Sequence, residues 1–185
     1  MSVKIEEAAA LLERTPSALE SLLGGLPESW LACNEGPGTW TADQVVAHLV
    51  EAEKTNWMPR LEWMLREGES RPFPLFDREA HLRGEETDEP RSGGSGAAAA
   101  SGIERKLAEF RACRADSLAR LRASLTDRAL LERVGMHPEL GRVKVGELLA
   151  TWTVHDLTHL AQITRVMAVR YRADVGPWSR FFRRL

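Results

Sequence analysis

Two histidines four residues apart, His155 and His159, stand in the middle of a long, mostly apolar stretch covering residues 148–166. On an α-helix this spacing returns a side chain to the same face one turn later, so two imidazoles can bind one metal ion without bending the backbone. The pattern predicts an amphipathic helix with both histidines on its apolar stripe. The residues that recur at steps of three or four are Leu148, Trp152, His155, His159, Ile163 and Val166.

Two adjacent imidazoles in a core must each find a polar partner, because a buried polar group without one costs roughly 1–3 kcal/mol. A shared metal ion would satisfy both at once. The alternative is an ordinary pair of hydrogen-bonded core histidines, since the HxxxH pattern is common by chance. The pair alone leaves both interpretations open.

A third histidine, His48, occupies a comparable position in the segment TADQVVAHLVEAE, residues 41–53. Thr41 and Gln44 have the spacing of a capping box, which predicts that a helix begins there. His48 then shares the apolar side of this helix, with Glu51 and Glu53 towards its edges. Three inward histidines on two helices would form a three-nitrogen site with an open fourth position, the arrangement of catalytic rather than structural zinc.

Four short motifs follow one another along the chain. A W-T-x-x-x-V-x-x-H-L pattern covers residues 40–49, and MHPELG covers residues 136–141. LLATWTVHDLTHLAQI covers residues 148–163, and VGPW covers residues 175–178. In this order and spacing the chain resembles the DinB-like superfamily of damage-inducible and thiol-transferase-related proteins, over most of its length.

The resemblance implies a four-helix bundle whose metal is held by one histidine on the second helix and an HxxxH pair on the last. His48, His155 and His159 would then bind one divalent transition metal, with zinc or nickel expected because imidazole nitrogen suits such ions. The superfamily spans several activities, so no single substrate is implied. The resemblance favours a thiol-dependent S-transferase or related hydrolase that acts on a low-molecular-weight thiol and a small electrophile. We also expect a homodimer.

Helical periodicity divides the chain into four long segments at about residues 3–23, 41–66, 101–125 and 147–171. Pro16 and Pro59 fall inside the first two segments and predict a kink or a division there. Residues 85–100 are acidic and then rich in glycine, serine and alanine, which is typical of a flexible insertion. No alternating pattern predicts a β-strand. The sequence therefore predicts one all-α domain over residues 1–185, a four-helix bundle with long inter-helix connections and an interior metal site.

The connections and the tail carry further predictions. His81 and His137 lie in loop-like sequence and are weaker ligand candidates. Phe181 and Phe182 are expected to pack back against the bundle.

Composition and charge limit the functional classes. The 185-residue chain has a formal net charge of −2, which argues against nonspecific nucleic-acid binding. Its two cysteines, Cys33 and Cys113, are too few for a disulfide framework. The N-terminus lacks the pattern of a signal peptide, and no run approaches the ~18 apolar residues of a membrane span. We therefore expect a cytoplasmic protein without membrane or nucleic-acid partners.

Polar and aromatic residues one turn from the three histidines are the candidates for contacts around the metal. For each of them the alternative is an ordinary position in the core or at a helix edge. Asp156 follows His155 directly and is rotated from it by about 100° around the helix axis. It therefore faces a neighbouring helix, where it either hydrogen-bonds across the bundle or orients a ligand histidine. The other candidates are Gln44, Glu51, Trp152 and Gln162.

Three functional interpretations remain open on the sequence alone. The first is the metal-dependent transferase or hydrolase. The second is a metal-stabilised helical bundle without catalysis that acts as a stress-associated binding or dimerisation module. The third is a peptidase, because residues 155–159 differ from the HExxH motif in having Asp in place of Glu, although the shorter carboxylate is poorly placed as a general base. No serine lies in a nucleophile motif, so the catalytic residues are unassigned.

Deletion of residues 92–97 is expected to leave the melting temperature of the protein nearly unchanged. The segment offers no apolar face, and its glycines lose conformational entropy when they become ordered. Thermal unfolding followed by circular dichroism measures the effect. A drop of many degrees would contradict the prediction and indicate that the segment packs against the domain or a second subunit.

Overall fold

The computed structural model describes residues 3–85 and 102–182 of the chain. Within these ranges there are eight α-helices, three short 3-10 helices and one two-stranded sheet. Most of the insertion predicted at residues 85–100, and the start of the segment predicted at residue 101, lie outside the described residues. The α-helices are α1 (Ile5–Leu12), α2 (Thr15–Leu23), α3 (Glu28–Leu31), α4 (Ala42–Thr55), α5 (Trp57–Glu67), α6 (Ala80–Glu85), α7 (Gly102–Ser124) and α8 (Val145–Ala168). The strands are β1 (Val134–His137) and β2 (Gly141–Lys144), and the 3-10 helices are Arg128–Glu132, Val169–Tyr171 and Gly176–Phe181.

Four helical legs pack side by side. The first leg is α1 followed by α2, the second is α4 followed by α5, and the long helices α7 and α8 form the other two. The helix α4 packs along α7 and against α8, while α1 contacts α8 and α2 contacts α7. This arrangement confirms the predicted all-α four-helix bundle. No helix in the described ranges combines the length and the apolar character needed to span a membrane.

Both legs that contain a proline are divided rather than continuous. The first leg breaks at residues 13–14, so Pro16 lies in the first turn of α2. The second leg breaks at Asn56, which makes Pro59 the third residue of α5. In the first turn of a helix the backbone N–H has no partner within the helix, so proline is tolerated there. The predicted division is therefore present in both legs, just before each proline.

A short β-hairpin, which no alternating pattern in the sequence predicts, connects the end of the third leg to α8. The strands β1 and β2 pair antiparallel, and the predicted MHPELG turn forms the tip of the hairpin. Each strand has four residues, too few for an alternating pattern to be recognised in the sequence. Gly135 lets β1 lie close to α5, because a Cβ atom there would be 2.5 Å from Cγ of Met64.

The hairpin also holds the segment that follows α5. The backbone N–H of Phe73 donates to the carbonyl of Met136 in β1 at 3.1 Å. Pro72 forms an isolated parallel β-bridge with Met136. Because of these contacts, residues 72–78 run across one side of the second leg.

The end of the C-terminal tail does not pack back against the bundle, so that prediction is wrong. The exposed fractions are 61% for Phe181 and 49% for Phe182, and Trp178 is 67% exposed. The two 3-10 helices of this segment have no buried residue.

A buried ionic network joins all four legs. Arg114 of α7 donates through Nη1 to Oδ2 of Asp156 in α8 at 2.7 Å, and through Nη2 to Oε1 of Glu53 in α4 at 2.7 Å. The hydroxyl of Thr15, at the start of α2, also donates to Oδ2 of Asp156 at 2.7 Å. The indole N–H of Trp152 donates to Oε1 of Glu53 at 3.1 Å. Glu53 is only 3% exposed, so its predicted position towards a helix edge is wrong.

The members of the network keep one another charged. Burial opposes the charge of Arg114, but Asp156 and Glu53 outweigh it and raise the pKa of the guanidinium. Burial also opposes the charge of Asp156, but the neighbouring His155, Arg114 and Thr15 outweigh it and lower the pKa of that carboxyl group. The charges are therefore stable only as a set.

The network lies where the apolar core divides into two clusters. Along α7, Phe110 belongs to one cluster and Leu118 to the other, with Arg114 between them. The same change occurs along α8 at Asp156. The ionic contacts therefore lie between the two apolar clusters, at one level along the bundle axis.

Replacement of Arg114 by methionine is expected to lower the free energy of unfolding by about 3–5 kcal/mol, because two buried carboxylates lose their cation. The control is Arg122→Met on the same helix, since Arg122 is exposed and pairs with Glu13 at 3.4 Å. This control should change the free energy of unfolding by less than about 0.5 kcal/mol. Urea denaturation of both variants measures the difference. Equal small effects in the two variants would show that the network contributes little to stability.

Candidate metal centre

The three predicted histidines converge between α4 and α8. Nε2 of His48 lies 3.2 Å from Nε2 of His155, and Nε2 of His159 lies 3.1 Å from the same atom. Each of the three residues offers one nitrogen, and these atoms all lie within 4.8 Å of one another. Across residues 3–85 and 102–182, this is the one group of histidine, cysteine or carboxylate side chains arranged to hold a metal ion.

The separations fit a single transition-metal ion. Zinc–nitrogen bonds of about 2.0–2.1 Å in a tetrahedral arrangement place ligand nitrogens about 3.3 Å apart. The separations of 3.2 and 3.1 Å are close to this value. Three imidazole nitrogens are also a donor set that zinc, nickel and similar ions prefer over magnesium or calcium. The residues present therefore fit a divalent transition metal.

Hydrogen bonds orient two of the three imidazoles for metal binding. Nδ1 of His48 lies 3.3 Å from the backbone carbonyl of Arg78, and Nδ1 of His159 lies 2.8 Å from Oε1 of Gln162. A carbonyl or amide oxygen can only accept a hydrogen bond, so each ring carries its hydrogen on Nδ1. The lone pair of Nε2 then faces the centre. Outer contacts of this type are usual for histidines that bind metals.

The third imidazole is held less directly. Nδ1 of His155 lies 3.9 Å from Oδ1 of Asp156, which is longer than a hydrogen bond. Within the described residues this nitrogen is buried and has no hydrogen-bond partner. The ring of His155 is instead held between the ring of His159, with centroids 4.3 Å apart, and the ring of Trp57, with centroids 4.9 Å apart.

Burial keeps two of the three imidazoles, those of His48 and His159, neutral. Burial, followed by the charges of the neighbouring histidines, lowers the pKa of His48 to about 3. Burial and the charge of His155 lower the pKa of His159 to about 4. Metals bind the neutral form of imidazole, so at neutral pH protons do not compete for these two nitrogens.

The turn of α8 that carries the ligands presents two different faces. Its buried stripe passes through Trp152, Asp156 and Ile163, whereas His155 and His159 are half-buried at the edge of the stripe. The two histidines thus face the cavity and not the exposed side of α8, at the edge of the most deeply buried stripe. Asp156 faces the interior of the bundle, as expected, and hydrogen-bonds across it.

The three histidines line a cavity of about 800 Å³. Its walls next to the histidines are aromatic: the ring centroid of Trp40 lies 4.8 Å from that of His48, and the ring of Phe76 lies 5.7 Å from it. Residues 72–78 and the hairpin form the other side of the cavity. Besides the three histidines, the polar side chains that line the cavity are Asn56, Arg60, Arg78, His137, Glu139, Glu147 and Thr151.

Two further predicted site residues lie beside the metal centre. Gln162 contacts His159 directly through the hydrogen bond described above. Trp152 lies beneath the site, where it is buried and stacks on Trp57 with ring centroids 5.7 Å apart. It therefore supports the ring that packs against His155 and does not line the cavity.

The remaining two candidates are not part of the cavity wall. Gln44 completes the predicted capping box, because its Oε1 accepts from the N–H of Thr41 and its own N–H donates to the Thr41 hydroxyl. Glu51 is half-buried on α4, and the structure does not place it among the lining residues. Their predicted role around the metal is not supported by their positions.

Four further residues reach the site: His81 and His137, which the sequence offered only as weaker ligand candidates, and Arg60 and Arg78, which it did not single out. His81 lies on α6 rather than in a loop, is 7% exposed, and has its ring centroid 5.2 Å from that of His48. His137 belongs to β1 and lines the cavity, as do Arg60 and Arg78. These four residues come from α5, from a connection, from α6 and from the hairpin, and no local pattern relates them to the histidine motif.

Fold and site together define the chain as a four-helix bundle with three convergent histidines between two of its legs. The family model of the DinB superfamily matches residues 11–163, and the chain belongs to this superfamily. The resemblance found in the sequence is thereby confirmed. A comparison with curated proteins finds no matching sequence.

A solved structure is similar over nearly the whole chain. It is that of YfiT from Bacillus subtilis, described as a probable metal-dependent hydrolase with an unusual four-helix bundle topology. The similarity has a TM-score of 0.68 at 23% sequence identity and covers 91% of this chain and 90% of YfiT. At this identity the similarity establishes the fold.

The purified protein is expected to contain one divalent transition metal per chain, and His155→Ala and His159→Ala are expected to lose most of it. Each substitution removes one of three nitrogen ligands. His137→Ala is the matched control, because His137 lies in the same cavity without joining the group of three. Elemental analysis by mass spectrometry gives the metal content. Full metal content in both ligand variants would overturn the assignment.

Proposed function

We propose that the protein is a metal-dependent enzyme, a thiol-dependent S-transferase or a related hydrolase, with its centre at His48, His155 and His159. The observation that carries the proposal is that all three histidines line an open cavity of about 800 Å³. Small-molecule sites commonly have about this volume. A metal-stabilised bundle without catalysis needs the same histidines but no cavity beside them, so the cavity favours the enzyme.

A divalent transition metal, zinc or nickel, would supply Lewis-acid activation of a thiol or a water molecule and lower its pKa towards neutrality. The residues of the chain hold the site in the form that this chemistry requires. The Arg78 carbonyl and Gln162 hold the imidazoles of His48 and His159 in the metal-binding tautomer. Since the rings are fixed before any ligand enters, little reorganisation is needed when the substrates bind.

The aromatic walls determine what enters the site. Trp40, Trp57 and Phe76 surround the histidines and replace water by ring faces and edges. Thiols are natural partners for this environment, because sulfur is weakly hydrated and is a good ligand for zinc and similar ions. We therefore propose a low-molecular-weight thiol and a small electrophile as substrates, with water in place of the thiol for a hydrolase.

The position of Asp156 argues against a peptidase. In the HExxH motif the carboxylate that follows the first histidine is the general base, so it must face the metal. Asp156 is 1% exposed, and both of its oxygens accept hydrogen bonds from Arg114 inside the bundle. It does not line the cavity. A base for peptide hydrolysis is therefore missing from the expected place.

Two comparisons support the coarser part of the proposal. The chain belongs to the DinB superfamily, and the similar structure YfiT is described as a probable metal-dependent hydrolase. The more specific part, a thiol-dependent transfer or a related hydrolysis, is our proposal. A homodimer and a cytoplasmic location stay predictions.

Metal-loaded protein is expected to accelerate the reaction of a low-molecular-weight thiol with chlorodinitrobenzene, or the hydrolysis of a chromogenic ester. Activity should fall by at least about 100-fold in His48→Ala, because loss of the metal removes the group that activates the nucleophile. The control is Arg122→Gln, an exposed substitution on α7. Absorbance assays with a panel of thiols, and with no thiol, separate the transferase from the hydrolase.

The result that would overturn the proposal is a fully metal-loaded protein that shows neither reaction above the free-metal background. If such a protein also melted at a much lower temperature after chelation, the metal would be structural and the non-catalytic bundle would be favoured.

A further inference from the structure

Two arginines, Arg60 and Arg78, line the cavity. Arg60, on α5, is half-buried, and Arg78 lies on the segment before α6. Within residues 3–85 and 102–182 neither forms an ion pair. Among the described residues, some arginines outside the cavity do pair with a carboxylate, as Arg120 does with Glu62 at 2.7 Å, whereas others, such as Arg170, donate only to a backbone carbonyl.

The two unpaired cations are close enough to repel each other. Burial and the charge of Arg78 lower the pKa of Arg60. The negative charge of Glu139 raises the pKa of Arg60, but its carboxylate is not within ion-pair distance of the guanidinium. Arg60 is half-buried whereas Arg78 is exposed, so the unfavourable free energy falls mainly on Arg60, and an anion bound by both arginines would reduce it.

The guanidinium of Arg60 is positioned by an aromatic ring. Its Cζ lies 4.9 Å from the ring centroid of Phe73, a distance typical of a cation–π contact. Phe73 is itself 2% exposed and is fixed to the hairpin by its backbone hydrogen bond. The ring therefore restricts the guanidinium while leaving its N–H groups available to a ligand.

A third donor lies in the same wall. Nδ1 of His137 accepts from the backbone N–H groups of Glu139 at 3.0 Å and Leu140 at 3.2 Å, which places the ring hydrogen on Nε2. The ring of His137 packs edge-on against that of Phe73, with centroids 5.2 Å apart. Burial and the charge of Arg60 lower the pKa of His137, so the neutral ring keeps this single Nε2–H donor.

These groups lie next to the metal centre. Trp57 packs against His155, and Arg60 follows Trp57 by three residues, one turn further along the same face of α5. Arg78 reaches the centre through its backbone, since its carbonyl accepts from His48. The two arginines and the three histidines thus line one and the same cavity.

We propose that the substrate of this centre carries a carboxylate or phosphate group, and that Arg60 and Arg78, with the Nε2–H of His137, bind it. This inference rests on the proposed function, because it assigns the substrate class of the same site. Arginine guanidinium groups match the oxygen pairs of both anions. The body of the substrate then lies along the aromatic wall, with the reacting end at the three histidines.

The first experiment measures binding without turnover. Full-length, metal-loaded protein is titrated with 3-phenylpropionate, phenylphosphonate and the neutral 3-phenylpropionamide, and isothermal calorimetry gives the three affinities. At least one anion should bind about tenfold or more tightly than the amide, as expected for charge-assisted hydrogen bonds. In Arg60→Gln and Arg78→Gln this preference should largely disappear, while affinity for the amide stays within about twofold. Arg122→Gln is the control and should keep the full preference.

The second experiment identifies which substrate carries the anion. Binding of 3-mercaptopropionate and of its methyl ester is followed by the absorption spectrum of the cobalt-substituted protein. A preference for the free acid that is lost in Arg60→Gln places the anionic group on the thiol. A preference seen only with the phenyl compounds places it on the other substrate.

The inference is overturned if no anion is preferred in either experiment, or if the preference is unchanged in both arginine variants. Its failure is distinct from failure of the proposed function. Protein that catalyses thiol transfer but binds anions and neutral analogues equally would contradict only the anion site. Protein that prefers anions through Arg60 but has no activity would contradict only the enzyme.

Discussion

The contacts of Arg114 with Glu53 and Asp156 determine how the two ligand-bearing helices face each other. Glu53 lies on α4, five residues after His48, and Asp156 lies on α8, directly after His155. Because α7 contributes the cation, neither carboxylate can move away without leaving a buried charge unpaired. The distance between α4 and α8 is thus fixed at the level of the histidines by interactions that are not part of the metal centre.

The site depends on the helical rotation between neighbouring residues of α8. One step of about 100° separates a residue that faces the interior from a residue that faces the cavity. Asp156 belongs to the interior and His155 to the cavity, so a single turn connects the charged core to the candidate metal centre. Trp152, one turn earlier, supports the same arrangement by bonding to Glu53 and stacking under the ring that contacts His155.

The sequence was sufficient to predict the bundle and the three convergent histidines, because helical periodicity and the HxxxH spacing are local patterns. It was not sufficient for Glu53 and Arg114, which look like ordinary surface charges until their partner on another helix is known. The hairpin escaped prediction because four-residue strands carry too little pattern. Arg60 and Arg78 were not predicted, and His137 was only a weaker ligand candidate, because these residues come from separate elements and meet only in the folded chain.

The close approach at Gly135 has a consequence for how proteins of this architecture can diverge. The histidines belong to the bundle, whereas the facing wall of the cavity is built by the hairpin and by residues 72–78 attached to it. The hairpin is seated on α5 through a contact between a glycine and Met64 that leaves no room for a larger side chain. If the cavity binds substrate as proposed, substitutions at the hairpin tip, for instance at Glu139 or the 74% exposed Leu140, would change its wall while the Gly135 contact and the three histidines stay unchanged. In the proposed enzyme, residues of the hairpin would set the selectivity and residues of the bundle the reactivity, so each could change in evolution without the other.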